Sequence, residues 1–377
     1  MKDSRQRSSL RVTAGLVGRA AVRRLPAKAR LRLREVKRAA LGQAPVRPSV
    51  GAGPVGKRPD APAPAPSPAP VPATRAMPAA GGSPKVTGPR RAKDGESRLD
   101  LRRAQIFATA ERHGAALEIG PAHNGILPKR EGFDTKTVDY LDRAGLIDKY
   151  KAHDNYSPDD IEEVDFVLPP GAAMGDIIKT RFDLVLASHV LEHTTSLVDF
   201  LNECTRLLQP GGVIALVVPD HRFCFDRFRE RSSLGSVIDA HLEPHEVHTV
   251  GTLTEFAVNA VKHRGTTSWA PVHAGRYSWV NGESDIDRIR RSATSGRYVD
   301  VHHWVFTPNH LRLLLHDLRT LGYIEVAEAH FHDTVGHEFF INLSRESQGP
   351  GLSREELVGL SDDELRSLDV HEWESGA

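Results

Sequence analysis

The stretch from Leu117 to Gly125 reads Leu-Glu-Ile-Gly-Pro-Ala-His-Asn-Gly, an apolar strand that runs into a glycine, Gly120. A glycine at the carboxyl end of a strand allows a sharp turn and lets a ligand approach the backbone closely. A second apolar run ends at Asp139, nineteen residues after Gly120. At that spacing β-α-β folds place a carboxylate that accepts both ribose hydroxyls of an adenosine. The two strand ends together predict a site for a nucleotide-type cofactor.

Short apolar strands alternate with helical patterns on both sides of this stretch. Such alternation predicts an α/β fold, a mostly parallel sheet covered by helices on both faces. A helix over 308–321 precedes two last strands, whose short connection suits an antiparallel hairpin at the sheet edge. The predicted strands are Ala115–Ile119, Lys136–Tyr140, Val164–Leu168, Phe182–Ala187, Val213–Val218, Tyr323–His330 and Glu338–Leu343.

The net charge of +1 is the average of two oppositely charged parts. Residues 1–98 carry 22 basic and 5 acidic side chains and 14 of the 25 prolines, with no aromatic residue. Such a segment cannot bury enough apolar surface to offset its chain entropy. We therefore predict a disordered basic tail over 1–45 and a Pro/Ala-rich linker over 46–98. Short amphipathic helices in the tail, which would favour a peripheral contact with anionic membrane, are the alternative to a solvated tail.

The remaining residues have a net charge of −16 and all the aromatic side chains. We predict one domain over 99–346 with an insertion over 222–306, followed by an acidic C-terminal tail over 347–377 with one helix. The two cysteines are too few for a disulfide scaffold and indicate a reducing compartment. No apolar run approaches the roughly 20 residues of a membrane span, so we expect a soluble, cytoplasmic protein.

Two further motifs follow in chain order. Phe-Asp-Leu-Val at 182–185 opens the fourth strand, which runs into Ala-Ser-His-Val-Leu-Glu-His at 187–193. Leu-Leu-Gln-Pro-Gly-Gly at 207–212 ends a helix and turns into the fifth strand. With the first two strand ends, this ordered set resembles the class I S-adenosylmethionine-dependent methyltransferases, with a type 11-like methyltransferase domain. The resemblance spans about residues 100–345 and implies a Rossmann-like, doubly wound sheet and S-adenosylmethionine as the cofactor.

The resemblance also implies which residues hold the cofactor. Glu118 and Gly120 would belong to the loop that contacts its methionine part, and Asp139 would hold the ribose. Asp165 would lie beside the adenine, and Ser188 would line the floor of the site. The loop reads Gly-Pro-Ala-His-Asn-Gly where the family has Gly-x-Gly, so its shape should differ.

Each of these assignments has a structural alternative. Glu118 could cap a neighbouring turn, and Asp139 could cap the helix that follows it. His189, Glu192 and His193 could do no more than pack around the end of a strand.

Methyl transfer from a sulfonium requires mainly that the nucleophile be aligned and water excluded. A hydroxyl acceptor also needs a general base, because an un-ionised oxygen is a poor nucleophile at neutral pH. Candidates follow the fourth and fifth strands, where ligands bind: His189, His193, Asp220 and His221. Of these we predict the pair Asp220 and His221, or His189, as the catalytic residues. Histidines and aromatic residues of the insertion indicate a polar, aromatic acceptor pocket that would suit sugars or planar rings.

The spacing of His241, His245 and His248 would allow one helical face to present all three to a metal ion. Pro244 argues against a helix there, so we expect no metal. The predicted function is methyl transfer to a small molecule, an O-methylation of a sugar or glycan-type acceptor. The alternatives are a nucleic-acid methyltransferase that uses the basic tail, a nicotinamide oxidoreductase, or a non-catalytic Rossmann-like binding module.

Two observations weigh against the rival enzymes. The acidic folded part repels phosphate. The residues after the fourth strand lack the Asp/Asn-Pro-Pro-aromatic motif of exocyclic-amine methylation, and both observations argue against nucleic acid as the acceptor. The first loop lacks the Gly-x-Gly-x-x-Gly pattern of dinucleotide sites. The oligomeric state stays open.

Overall fold

The computed structural model describes residues 97–151, 156–169, 171–267, 269, 276–294, 296, 298–366 and 372–373. By its internal contacts the chain divides into two units, 1–81 and 82–377, and every described residue belongs to the second. The predicted basic tail lies outside the described residues, as does the predicted linker except for Ser97 and Arg98.

The strands and helices follow the predicted alternation. The strands are β1 (Ala116–Ile119), β2 (Thr135–Asp139), β3 (Phe166–Val167), β4 (Phe182–Ser188), β5 (Leu208–Pro219), β6 (Val261–His263), β7 (Thr266–Thr267), β8 (Arg276–Trp279), β9 (Ala327–Val335), β10 (Glu338–Ser344) and β11 (Glu372–Trp373). The helices are α1 (Arg98–Ile106), α2 (Arg143–Tyr150), α3 (Met174–Ile177), α4 (Leu197–Arg206), α5 (Leu234–Leu242), α6 (Val250–Asn259), α7 (Glu283–Ala293), α8 (Pro308–Thr320) and α9 (Arg354–Arg366).

Seven strands form the main sheet, in the order β3-β2-β1-β4-β5-β10-β9. β1 to β5 are parallel, and β10 is antiparallel to both of its neighbours. The predicted α/β, Rossmann-like sheet with an antiparallel edge hairpin is therefore confirmed. The strand order reverses between β1 and β4, so the crevice outside their carboxyl ends is where this fold binds ligands.

Helix α4 illustrates how the sequence builds a layer on the sheet. Ser196 caps its first turn by accepting a hydrogen bond from the backbone N–H of Asp199. Leu197, Leu201 and Cys204 recur at helical spacing and are fully buried in the main core cluster. Each buried leucine contributes roughly 2 kcal/mol of hydrophobic stabilisation, so this face holds the helix against the sheet.

The predicted strand at Tyr323–His330 is displaced in the structure. β9 begins only at Ala327 and runs on to Val335, because the preceding residues end helix α8 instead. Gly322 has a φ of +77°, and Tyr323 donates its backbone N–H to the carbonyl of Leu318 at 2.9 Å. Gly322 also donates its N–H to the carbonyl of Arg319 at 3.1 Å. The two hydrogen bonds form a Schellman motif, a glycine-terminated helix end, from residues that were predicted to begin the strand.

The insertion over 222–306 contains α5, α6, α7 and three strands of a second sheet, ordered β11-β8-β6-β7. Its last segment returns across the end of β4. There His303 and Trp304 donate their backbone N–H groups to the carbonyl of Glu192 at 2.7 and 3.0 Å. The insertion thus covers the carboxyl edge of the main sheet near the strand-order reversal.

The single helix predicted for the acidic C-terminal tail corresponds to α9, which packs on α8. In the part of the chain that the structure describes, no helix is both long and apolar enough to span a bilayer.

Candidate cofactor and acceptor site

The loops after β1 and β4 meet at the carboxyl edge of the sheet. Gly120 has a φ of +59° and donates its N–H to the carbonyl of Val138 at 2.9 Å. A Cβ at this position would lie 3.4 Å from the Val190 side chain. A side chain here would therefore both strain the backbone and enter the crevice.

Glu118 holds the first loop from beneath. Its buried carboxylate accepts the backbone N–H groups of Ile126 and Leu127 at 2.7 and 3.1 Å. Burial raises the pKa of Glu118, and these two hydrogen bonds oppose the rise. The carboxylate faces the loop backbone, as the turn-capping alternative predicts, and helps to line a cleft of about 350 Å³ that is partly open to solvent.

The loop itself closes without the family's second glycine. Asn124 donates its N–H to the carbonyl of Pro121 at 2.9 Å, and Ala122 between them has a φ of +45°. The His123 ring packs against the ring of Tyr150 at 4.7 Å. The expectation of a different loop shape thus has a local basis in a tight turn anchored on helix α2.

Asp139 lies at the carboxyl end of β2, beside this loop. It is 7% exposed, and its Oδ1 accepts the N–H of Tyr140 at 2.7 Å. Burial raises its pKa, opposed by backbone hydrogen bonds. The cap of α2 is Asp142, which accepts from the N–H of Gly145 at 2.8 Å, so the helix-capping alternative for Asp139 is wrong.

Asp165 is not brought to this edge. It precedes the two-residue strand β3, whose carboxyl end is Val167, so it lies roughly 7 Å back along the strand direction. It accepts the N–H of Thr137 at 2.9 Å and pairs with Lys129 and Lys136. Burial opposes the shift, but these hydrogen bonds hold the pKa of Asp165 below its ordinary value.

His189 directly follows Ser188, the half-buried last residue of β4 that pairs in register with Val217. Its φ of +53° is uncommon for a residue with a side chain and is a strained conformation of the kind found at functional sites. The ring Nε2 lies 2.9 Å from a carboxylate oxygen of Glu338, and Nδ1 lies 3.5 Å from Glu192.

Glu338 is a buried carboxylate at the centre of a charge cluster that no sequence pattern predicted. Arg98 and Arg102 bind its carboxylate at 2.6 and 2.7 Å. Although burial opposes it, the hydrogen bonds from Arg102, His189 and Arg98 hold the pKa of Glu338 well below its ordinary range. Glu338 therefore stays ionised and fixes the orientation of the His189 ring.

Asp220 and His221, which were predicted as catalytic residues, are both buried. Asp220 is fully buried and receives the guanidinium of Arg222 at 2.6 Å and the hydroxyl of Thr334 at 2.6 Å. Burial lowers the pKa of His221 to about 4, and neither ring nitrogen has a hydrogen-bond partner among the described residues. The structure assigns Asp220 a bonded, anchoring environment and keeps His221 uncharged.

Aromatic side chains form one wall beside His189. The exposed ring of Trp269 lies 5.8 Å from the His189 ring and 5.1 Å from that of Phe225. Trp269 is 36% exposed, so a ligand could reach it from solvent. The structure thus brings part of the insertion next to the strand-four residues, as the predicted acceptor pocket requires.

Asp300 is a second residue that no sequence pattern singled out. Its carboxylate lies 2.9 Å from Nδ1 of His193 and 3.4 Å from Nζ of Lys149. The hydrogen bond from His193 holds the pKa of Asp300 well below its ordinary range. Asp300 thus ties the insertion to both α2 and the end of β4.

His241, His245 and His248 do not share a helical face. Helix α5 ends at Leu242, before Pro244, and only His241 lies on it. Nδ1 of His241 lies 3.0 Å from Asp199, whereas Nδ1 of His248 lies 3.2 Å from His303. These contacts point the side chains toward different neighbours.

Residues 91–318, more than half of the chain, match the family model described as a methyltransferase domain. The chain belongs to this family. It is an S-adenosylmethionine-dependent methyltransferase, as the strand-end motifs predicted. No curated protein matches the chain.

Solved structures similar to this methyltransferase share little sequence with it. They include the CcbJ methyltransferase from Streptomyces caelestis (14% identical, 67% of this chain and 98% of the other, TM-score 0.34). An S-adenosylmethionine-dependent methyltransferase from Clostridium acetobutylicum is 9% identical over 65% of this chain and 89% of the other, with a TM-score of 0.33. The glycopeptide N-methyltransferase MtfA is 11% identical over 68% of this chain and 94% of the other, with a TM-score of 0.34. Likenesses this weak carry no argument about the acceptor.

Proposed function

We propose that this methyltransferase transfers the methyl group of S-adenosylmethionine to a hydroxyl oxygen of a small-molecule acceptor of the sugar or glycan type. The observation that carries the proposal is the His189 ring, held by Glu338 at the carboxyl end of β4 and facing the exposed ring of Trp269. A hydroxyl acceptor needs a general base, which an oriented imidazole can supply. The aromatic side chains beside it offer an apolar face for the acceptor to pack against.

In this proposal the cofactor lies in the crevice between the loops after β1 and β4. Gly120 leaves room for its methionine part, Glu118 fixes the loop, and Asp139 accepts the ribose hydroxyls. Ser188 lines the floor of the crevice. The position of Asp139 beside the strand-order reversal supports its assignment. The adenine role of Asp165 finds no such support, because that side chain lies behind the edge and is bound to lysines.

The chemistry then requires one proton transfer and one displacement. S-adenosylmethionine, when bound, would supply its methyl group to the acceptor oxygen, and S-adenosylhomocysteine would leave as the carbon–sulfur bond breaks. Nδ1 of His189 takes the hydroxyl proton. Glu338 accepts the hydrogen bond from Nε2 and stabilises the imidazolium that forms, in the manner of a histidine–carboxylate pair. Asp220 and His221 support the site as buried structural groups, not as bases.

The test measures cofactor binding and methyl transfer separately in the full chain. Calorimetry should show Asp139→Asn binding S-adenosylhomocysteine at least about 10-fold more weakly, since the ribose loses its acceptor. With a panel of sugar acceptors and labelled S-adenosylmethionine, His189→Asn should lower kcat by about 100-fold and leave cofactor affinity unchanged. His316→Asn, a half-buried histidine on α8, is the matched control.

Two results would refute these assignments. Unchanged cofactor affinity in Asp139→Asn would reject the ribose role, and an unchanged kcat in His189→Asn would reject the base. Methyl transfer to nucleic acid but to no sugar would replace the proposed acceptor class.

A further inference from the structure

Glu192 is a buried carboxylate that the described structure leaves unsatisfied. The residue is 0% exposed, and neither carboxylate oxygen has a hydrogen-bond partner among the described residues. The nearest ring nitrogens belong to His189 and His193, at 3.5 and 3.9 Å from Oε1. A buried carboxyl group without hydrogen bonds is costly to the fold, so a cation bound at this place would remove a substantial penalty.

Two histidines present ring nitrogens to the same place. Nδ1 of His193 lies 2.9 Å from Asp300, and Nδ1 of His302 lies 2.9 Å from Asp226. The two rings are 4.8 Å apart between centroids. Nε2 of His193 lies 3.9 Å from Oε1 of Glu192, and Asp226 holds Nδ1 of His302, so Nε2 is the nitrogen that each ring can offer to a ligand. A histidine that donates to a carboxylate through one nitrogen and binds metal through the other is the usual arrangement in metal sites.

Two neighbouring clusters of potential ligands are already satisfied. In the cluster of His189, His337 and Glu338, the carboxylate is neutralised by the two arginines. In the cluster of Cys224, Asp226 and His302, burial raises the pKa of the thiol well above its ordinary value, which disfavours the thiolate that a metal requires. Glu192 is the acid in these clusters whose carboxylate oxygens accept no hydrogen bond from the described residues.

We infer that Glu192, His193 and His302 bind one divalent transition-metal ion, with Zn²⁺ the ion that best suits the donors. One ligand atom from each residue lies within 4.8 Å of the others. Ligation at about 2.1 Å would draw these atoms to about 3.5 Å apart, which small side-chain rotations achieve. Two imidazoles and one carboxylate form a zinc-type set, whereas Mg²⁺ and Ca²⁺ favour all-oxygen sites. This inference replaces the expectation of no metal.

The set leaves one coordination position open. The side chain of His193 is 28% exposed, so an ion and a further ligand can enter from solvent. A hydroxyl bound to a metal ion loses its proton near neutral pH. At 3.5 Å from Glu192, His189 lies next to this position. The role of the ion in acceptor activation rests on the proposed function, but the metal site does not.

The test measures metal binding in the full chain, without methyl transfer. After chelation and removal of the chelator, titration with Zn²⁺ alone should show one tight site per chain and a rise in the melting temperature. Glu192→Gln should weaken Zn²⁺ binding by at least about 100-fold, since it removes the charged ligand. Asp300→Asn should weaken it by about 10–100-fold through the orientation of His193.

Controls separate a lost ligand from a damaged fold. Without metal, Glu192→Gln should be at least as stable as the wild type, because an amide is less costly to bury without hydrogen bonds than a carboxylate. His241→Gln, on α5 and bound to Asp199, should bind Zn²⁺ like the wild type. Absence of a stoichiometric site, or equal binding by Glu192→Gln and the wild type, would overturn the inference. Loss of binding in His241→Gln with retention in His302→Gln would do the same. None of these results depends on which acceptor is methylated.

Discussion

At the residue scale, Glu118 determines the shape of the loop that follows β1. Its two hydrogen bonds satisfy backbone N–H groups of Ile126 and Leu127, which would otherwise be buried without a partner. A carboxylate in this role is worth more than a neutral acceptor, since hydrogen bonds to charged groups contribute roughly 1.5–3 kcal/mol each. The side chain therefore shapes the loop whether or not it touches the cofactor.

Replacing Glu118 should separate these contributions. We expect Glu118→Ala to lower the free energy of unfolding by about 2–4 kcal/mol and Glu118→Gln by less, because the amide keeps one acceptor oxygen. Urea unfolding measures both. Glu131→Ala, which removes a more exposed partner of Arg103, should stay within about 0.5 kcal/mol of the wild type. Equal effects of Glu118→Ala and Glu131→Ala would contradict the stabilising role of the two hydrogen bonds to Glu118.

At the element scale, a side chain of α9 caps the first turn of α8. Glu364 on α9 accepts the backbone N–H and the side-chain amide of Asn309 at 2.8 and 2.7 Å. A carboxylate suits the positive end of a helix dipole. Burial, opposed chiefly by Arg222, nevertheless raises the pKa of Glu364 from 4.5 to about 7.

This raised pKa predicts how stability depends on pH. Between pH 4.5 and 7 the folded state binds more protons at Glu364 than the unfolded state, so its contribution is present below pH 4.5 and is lost as the pH rises to 7. In Glu364→Gln the decline in the free energy of unfolding from pH 5 to pH 8 should be smaller by about 2–3 kcal/mol. Urea titrations at both values measure it, with the exposed Glu355→Gln as the control. An unchanged decline in Glu364→Gln would reject the prediction.

At the scale of the whole molecule, the charge is divided along the chain. Residues 1–98 carry net +17 against −16 for the rest. The structure shows where a truncation should be placed. Ser97 caps α1 through the N–H of Asp100, and Arg98 binds Glu338. A fragment that begins at 99 would lose both contacts, so the boundary belongs before Ser97.

Flotation with vesicles rich in anionic lipid tests the tail. The full chain should float at low salt and dissociate at high salt, because the attraction of basic side chains to anionic lipid is screened. A 97–377 fragment should stay with the unbound protein. Identical behaviour of the two proteins would reject the membrane contact and leave the solvated tail.

Local patterns in the sequence predicted the sheet and the cofactor edge. The glycine after β1, the acid after β2 and the Pro-Gly-Gly before the buried part of β5 are turn and strand signals that act over a few residues. They were sufficient to predict the mostly parallel sheet with its antiparallel edge hairpin and the methyltransferase family. They did not predict the exact start of β9, because the apolar residues after Gly322 are as compatible with a helix end as with a strand.

The sequence by itself determined the α/β alternation, the strand-end motifs and the division of charge, because each depends on residues close together in the chain. Only the tertiary structure decided which distant side chains meet. Arg98 reaches Glu338 from the end of a segment predicted as linker, and His302 reaches Glu192 and His193 across 109 residues or more. Asp220, a promising base in the sequence, is held by Arg222 and Thr334. Such pairings depend on how the chain closes on itself, which no local pattern encodes.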